Sequence, residues 1–204
     1  VQSAGGGWSI TSTDQGTSTF SLDPVFAGMK DHGLLKKDNC SSATTGVFES
    51  DTGEIIMRTK EHLLKVVTPR SEAVTLEGHQ GESLNRLQVA KTSVPALVAA
   101  CAVDNNVLAA SGRIVLIYST DAVNSRMELS PDRKTLVKLG EPPVLLRAGK
   151  LEATLRNDQA ATMRLYALGL DGSRQEELPL TAKAGIIHLS LDTQTLKKGP
   201  TPFF

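Results

Sequence analysis

Alternation of apolar and polar residues over residues 150–156 is the feature that most constrains how this chain can fold. Every second residue is apolar (Leu151, Ala153 and Leu155), and the residues between them are polar or charged. Successive side chains of a β-strand point to opposite faces, so this pattern predicts a strand with one buried face. Residues 162–168 repeat the pattern.

The stretch 50–76 predicts three further short strands in succession. Residues 51–53, D-T-G, are typical of the turn that opens the first strand, and residues 59–61, T-K-E, of a hairpin connection. Pro69 interrupts the pattern before the third strand, because proline cannot donate to a strand ladder.

Roughly a dozen such strands follow one another about every 8 to 15 residues, with hairpin chemistry such as Asp171-Gly172 between them. Residues 113–120 form a continuous apolar run, which predicts a central strand buried on both faces, and residues 121–130 are predicted to be a polar loop. These signals predict a mainly β chain, built as an antiparallel β-sandwich or jelly roll. No repeat of fixed period indicates a propeller or a solenoid.

One short helix is predicted near the N-terminus, at about residues 23–32. Asp23 is the predicted N-cap, Pro24 occupies the first helical position, and Gly33 ends the helix. Gly, Ser and Thr dominate the residues before it, which favours a linker with a few anchoring apolar residues over short edge strands. The predicted organisation is an N-terminal linker or arm with this helix over 1–45, a β-sandwich over 46–199 and a tail over 200–204.

Composition limits the classes of function. Among the 204 residues, 22 are Lys or Arg and 22 are Asp or Glu, so the net charge is zero and a non-specific nucleic-acid binder is disfavoured. No apolar run reaches the length of a membrane span, and no signal peptide opens the chain. Val1 in place of Met and the abrupt end at Phe204 suggest a piece of a longer protein.

Residues that could carry catalysis are not arranged for it. Asp51 and Glu54 are the most suggestive carboxylate pair, but they fall in a turn, where a surface role is favoured. The four histidines are isolated in sequence, and no nucleophile elbow or phosphate loop is present. Cys40 and Cys101 match no zinc or redox spacing, which favours two free thiols over a single long-range disulfide. No catalytic residue, metal or cofactor is therefore predicted.

Four residues are candidates for ligand binding. Tyr166 and Trp8 could stack a sugar ring, whereas Tyr118 ends the buried strand and is expected in the core. Asp121 and Asn124 follow the central strand on a loop, a position that suits a ligand or an interdomain contact.

Several strings resemble segments of large bacterial glycoside-hydrolase-like proteins, in which a catalytic (β/α)8 barrel is followed by an all-β sandwich. These strings are S-D-T-G-E-I at 50–55 with V-V-T-P-R-S at 66–71, S-G-R-I-V-L at 111–116, T-D-A-V-N at 120–124 with Met127, and P-V-L-L-R-A-G-K at 143–150. The similarity covers about residues 22–156, including the helix that precedes it.

The resemblance implies a non-catalytic accessory domain that packs on or orients a catalytic barrel of the same parent protein. It implies that the parent is carbohydrate-active, and it favours an extracellular or periplasmic location. A docking surface of this kind predicts an exposed apolar patch of several hundred Å². Two alternatives stay open: a stand-alone carbohydrate-binding module with a polysaccharide ligand, and a structural β-sandwich with a protein partner.

Overall fold

The computed structural model describes residues 2–4, 7–12, 16–78 and 81–204, and it describes side chains from residue 21 onward within those ranges. The chain divides into two units, Val1–Thr68 and Pro69–Phe204. The sequence predicts a boundary at residue 45/46, and the division between the two units falls between residues 68 and 69 of the chain.

The first unit contains one helix and two antiparallel strand sets. Strands β1 to β3 pair in sequence order, and so do β4 to β6. Residues 2–21, where the sequence favours a linker, thus contribute three strands. The elements are β1 (Gln2–Ala4), β2 (Gly7–Ser12), β3 (Gly16–Ser21), α1 (Asp23–Asp31), β4 (Val47–Glu49), β5 (Ile55–Arg58) and β6 (Leu63–Val67).

Helix α1 ends as predicted but begins differently. Gly33 has a φ of +70° and terminates the helix. Asp23 is the first helical residue and caps nothing in its own helix; the N-cap position is Leu22. The Asp23 carboxylate instead accepts hydrogen bonds from the backbone N–H groups of Ala43 (2.6 Å) and Thr44 (3.1 Å) and from the Thr44 hydroxyl. The predicted N-cap role is therefore wrong, because the carboxylate fixes a distant loop.

The second unit contains the remaining strands, and every pairing within it is antiparallel. They are β7 (Ser71–Leu76), β8 (Glu82–Ser83), β9 (Leu87–Thr92), β10 (Ala96–Ala102), β11 (Ile114–Ser119), β12 (Ala122–Ser125), β13 (Glu128–Leu129), β14 (Leu136–Lys138), β15 (Glu141–Leu146), β16 (Lys150–Arg156), β17 (Leu165–Leu168), β18 (Arg174–Leu178), β19 (Thr181–Lys183) and β20 (Ile186–Asp192).

Two larger sets of strands provide the core of the second unit. One has the order β7-β10-β11, and the other the order β19-β20-β16-β9-β8. Strands β7, β9, β16 and β20 each bury one row of side chains, while the alternate residues are more exposed. The first set buries Val74, Leu76, Ala96, Val98, Ala100, Leu116 and Tyr118, and the second buries Leu87, Val89, Leu151, Ala153, Leu155, Ile187, Leu189 and Leu191.

Polar contacts join the two sets. Glu72 of β7 is 2 % exposed, and its Oε2 accepts hydrogen bonds from the backbone N–H groups of Arg86 (2.8 Å) and Leu87 (2.7 Å), at the start of β9. The buried Tyr118 of β11 donates its hydroxyl to the carbonyl of Lys150 in β16 at 3.0 Å. A buried charge needs hydrogen-bond partners to be tolerated, so Glu72 fixes where β9 begins relative to β7.

The loop between β10 and β11 is held by two polar residues. Asn157, 2 % exposed, donates its amide to the carbonyls of Leu108 (2.9 Å) and Ser111 (3.0 Å). Asp104 accepts backbone hydrogen bonds from Asn106 (3.1 Å) and Gly112 (2.9 Å). Partial burial opposes ionisation of Asp104, but hydrogen bonds from Asn106, Ser111 and Gly112 outweigh it and lower its pKa to about 2.

Residues 201–204 continue the β pairing. Phe204 exchanges two backbone hydrogen bonds of 2.9 Å with Leu116 of β11. On the other side, the carbonyl of Phe203 accepts from Leu168 of β17 at 2.9 Å. The segment, predicted as a tail, thus lies between β11 and β17, and the Phe204 side chain is buried.

The prediction of a mainly β, antiparallel chain with one short helix is confirmed. The buried face predicted for residues 150–156 is also confirmed, since Leu151, Ala153 and Leu155 are each at most 4 % exposed. The polar loop predicted over 121–130 is wrong, because it contains β12 and β13. These strands bury no face, so the alternation that reveals a strand is absent from their sequence.

Replacing Glu72 by Gln should lower the free energy of unfolding by about 2–4 kcal/mol. The amide keeps the shape of the side chain, but it removes the charge and turns an N–H donor toward the backbone N–H of Arg86. Urea unfolding followed by far-UV circular dichroism measures the change. Glu152→Gln, on the exposed face of β16, is the matched control and should stay within about 0.5 kcal/mol of the wild type. Equal stability of the two variants would show that Glu72 does not fix the register.

Asp104→Asn should flatten the acid unfolding curve between about pH 4 and pH 2. The folded pKa of about 2 lies below the ordinary 3.8, so the ionised carboxylate stabilises the fold above pH 3.8. That contribution is lost as the pH falls through the folded pKa. Thermal melts from pH 7 to pH 2 test this, with the exposed Asp158→Asn as control. An unchanged pH dependence in Asp104→Asn would contradict it.

Candidate functional site

A cavity of about 630 Å³ opens in the second unit beside the C-terminal segment. Strands of both core sets contribute to it, together with β17 and residue 204. Its interior is formed by apolar side chains that are each at most 8 % exposed: Leu116, Leu155, Leu165, Ile187, Leu189 and Phe204. The volume is in the range of small-molecule sites, about 300–1,000 Å³.

Three exposed arginines line the same cavity: Arg113, Arg164 and Arg174. Among the described residues that line it, none is acidic. Glu177, outside the lining, lies 3.8 Å from Arg164. In the described part of the chain, Arg113 and Arg174 have no carboxylate partner within 4 Å. The rim is therefore positively charged around an apolar interior.

Tyr166 lies on this rim, on β17. It is directly opposite Glu177 of β18, and a register shift between Ala167 and Leu168 pairs Leu168 with Arg174. Residues 166 and 168 share a face of β17, so the shift brings Arg174 to the side of Tyr166. The Arg174 guanidinium lies 4.5 Å from the centre of the Tyr166 ring, in cation–π geometry.

Arg164 approaches Tyr166 from two residues earlier in the chain. A hydrogen bond to Tyr166, followed by the charge of Glu177, raises the pKa of Arg164. Tyr166 is thus set between two arginines, and one face of its ring is covered. This arrangement suits an anionic ligand better than a neutral sugar, because a sugar stacks on an open aromatic ring.

The predicted partnership of Tyr166 with Trp8 concerns a side chain outside the described part of the chain. The backbone of Trp8 belongs to β2, paired with Ser3 of β1 and Phe20 of β3. Tyr118, expected in the core, is 1 % exposed, so that prediction is confirmed.

Residues 121–147 form a bent hairpin, here called the arm. Strand β12 pairs with β15, and β13 pairs with β14 nearer the tip. A register shift between Asn124 and Ser125 separates the two ladders. Arg133 of the tip lies 2.8 Å from the carboxylate of Asp121 at the base, so the arm folds back on itself.

The predicted site residues Asp121 and Asn124 both stabilise the arm. Asp121 forms the ion pair with Arg133, and Asn124 donates its amide to the carbonyl of Leu139 at 3.0 Å. Gly140 has a φ of +74°, and a Cβ there would lie 2.3 Å from the carbonyl oxygen of Ser125. A side chain at this position would therefore disrupt the bend.

The arm also exposes large apolar side chains along its second half, on or beside β14 and β15. The described part of the chain has thirteen exposed large apolar side chains, and five of them lie in the arm: Leu136, Val137, Leu139, Val144 and Leu145, each 50 to 65 % exposed. Monomeric proteins rarely concentrate such residues on one solvent-facing element, and such patches mark interaction surfaces.

Sequence reasoning found Tyr166 but missed Arg174 and the arm. The R-x-Y spacing of Arg164 and Tyr166 places both on one face of the predicted strand, which indicates the first arginine. The position of Arg174 beside Tyr166 could not be predicted, because it depends on a register shift between β17 and β18. The arm could not be predicted from the sequence, because its apolar residues follow no period that indicates burial.

Other candidate chemistry stays scattered. Asp51 is exposed in the turn, where its carboxylate accepts from the N–H of Thr52 at 2.9 Å. Cys40 and Cys101 are both free. Within the described residues, no three His, Cys, Asp or Glu side chains form a group able to hold a metal ion. No helix in the same part of the chain is long and apolar enough to cross a membrane.

Comparison of the chain with known protein families, with curated proteins and with solved structures finds no match.

Proposed function

We propose that this chain is a non-catalytic, all-β accessory domain of a glycoside-hydrolase-like protein, and that it packs on or orients a catalytic barrel of the same parent protein. The motif strings at 50–55, 66–71, 111–116 and 143–150 motivate this assignment. The observation that carries it is the exposed apolar surface of the arm.

The arm has the properties that domain docking requires. Leu136, Val137 and Leu139 lie on or beside β14, and Val144 and Leu145 on β15, so the apolar surface follows two strands of one element. Burying the exposed half or more of each of these side chains against a partner would stabilise the complex by roughly 1–2 kcal/mol. The ion pair of Arg133 with Asp121 and the hydrogen bond of Asn124 hold the arm in shape before docking, which lowers the entropy lost on binding.

We also infer that the two core strand sets stack as a β-sandwich. The alternating burial of β9, β16 and β20 supports this inference, as do the contacts of Glu72 and Tyr118 between the two sets. The arm would then project from a rigid β-sandwich.

The alternative of a stand-alone carbohydrate-binding module depends on Tyr166 as the ring on which a sugar would stack. Its ring is near the cavity mouth, but Arg174 covers one face, and a pyranose would have to displace that guanidinium to stack there. A glycan array with Tyr166→Ala as control tests this alternative. Binding that disappears in the variant would favour the module over the accessory domain.

Replacing Val137, Leu139 and Val144 together by Lys should weaken docking without unfolding the chain. Each side chain is 59 to 65 % exposed, so each replacement should change stability by only about 0.5 kcal/mol. The catalytic domain of the parent protein, added in trans, should form a complex with the wild type that gel filtration and calorimetry detect. The triple variant should bind at least about tenfold more weakly, since charges would replace buried apolar contacts.

Leu170→Lys is the matched control. Leu170 belongs to the same unit and is 81 % exposed, but it lies outside the arm. It should leave the complex intact. Equal binding by the triple variant and the wild type, or no complex with the wild type, would refute the proposal.

A further inference from the structure

We propose that the cavity of the second unit binds a small amphipathic carboxylate, with the acid group at the arginine rim and the apolar body inside. This inference goes beyond the proposed function and does not depend on it, because the cavity and the arm share no residue. It rests on the charge of the rim, the chemistry of the interior and the position of Tyr166.

The rim supplies the recognition of a negative charge. Among the described residues, Arg113 and Arg174 line the cavity mouth without a carboxylate partner, and none of the residues that line the cavity is acidic. An arginine fork can bind a carboxylate through two parallel N–H···O bonds. The cation–π contact at 4.5 Å with Tyr166 limits the freedom of Arg174, so less conformational entropy is lost when an anion binds.

The interior selects what is attached to that charge. Leu116, Leu165 and Leu189, with Leu155, Ile187 and Phe204, offer no side-chain hydrogen-bonding group. The polar lining residues other than the arginines are Tyr166 and Thr162, and the Thr162 hydroxyl already donates to the carbonyl of Gln159 at 3.0 Å. The hydroxyl groups of a sugar would lose water there without gaining partners, whereas an alkyl or aryl body would lose only unfavourable hydration.

Calorimetric titration of the full chain with octanoate, octanol, acetate and tri-galacturonate tests both halves of the proposal. Octanoate should bind, and octanol should bind roughly tenfold more weakly, the factor expected for the loss of one charge-assisted hydrogen bond. Acetate should bind far more weakly than octanoate, because each buried methylene contributes up to about fourfold in affinity. Tri-galacturonate carries the charge without the apolar body and should show no binding.

Arg174→Gln should weaken octanoate binding about tenfold and leave octanol binding unchanged. Arg156→Gln, an exposed arginine outside the cavity lining, is the matched control and should alter neither. Methyl resonances of Leu116, Leu165 and Leu189 should shift on octanoate addition, which places the ligand inside. Arg113→Gln gives a second test should Arg174→Gln not fold.

Three results would overturn the proposal. Equal affinity for octanoate and octanol would remove the role of the arginines. Tight binding of tri-galacturonate would show that the site takes an acidic sugar instead. Absence of octanoate binding, or octanoate binding that shifts only methyl groups outside the cavity, would show that the cavity is not the site.

Discussion

The second unit depends on a buried carboxylate that has backbone N–H groups as partners. Glu72 joins β7 to the start of β9 through Arg86 and Leu87, at distances of 2.7 to 2.9 Å. Apolar packing alone is tolerant of sliding, because one branched side chain can replace another at similar energy. A carboxylate that must find two N–H donors allows one register only. The cavity lies between strands of both core sets, so its shape depends on that register.

Register shifts are the second device that organises this unit. The shift between Ala167 and Leu168 brings Arg174 beside Tyr166, and the shift between Asn124 and Ser125 lets the arm fold back. One extra residue causes the first shift, and two extra residues of β15 cause the second, so a side chain or a strand is redirected without a new element of structure. The two candidate surfaces thus arise from irregularities on a regular support.

These irregularities explain how much the sequence could predict. Strands with a buried face, such as β16, appear directly as alternation, and Gly33 marks the end of α1 through its positive φ. Tyr166 could be proposed because aromatic residues are scarce in this chain. The prediction of Asp23 as the N-cap of α1 was wrong, because its carboxylate accepts hydrogen bonds from residues 43 and 44, about twenty positions away. Arg174 and the arm were missed because pairing register and exposure are tertiary properties, which a local pattern does not encode.

The arm exposes apolar side chains to solvent, whereas the cavity encloses them, and this difference decides what each can bind. On the arm, Val137, Leu139 and Val144 are more than half exposed, so a partner must cover the surface of the hairpin to remove them from water. In the cavity, Leu155, Ile187 and Leu189 are concave and nearly covered by their neighbours, so the remaining space fits a small molecule. Charge separates the two further. In the arm Asp121 neutralises Arg133, whereas Arg113 and Arg174 at the cavity leave positive charge for a ligand to neutralise. A docking partner can therefore be apolar, while the cavity favours a ligand that carries an acid.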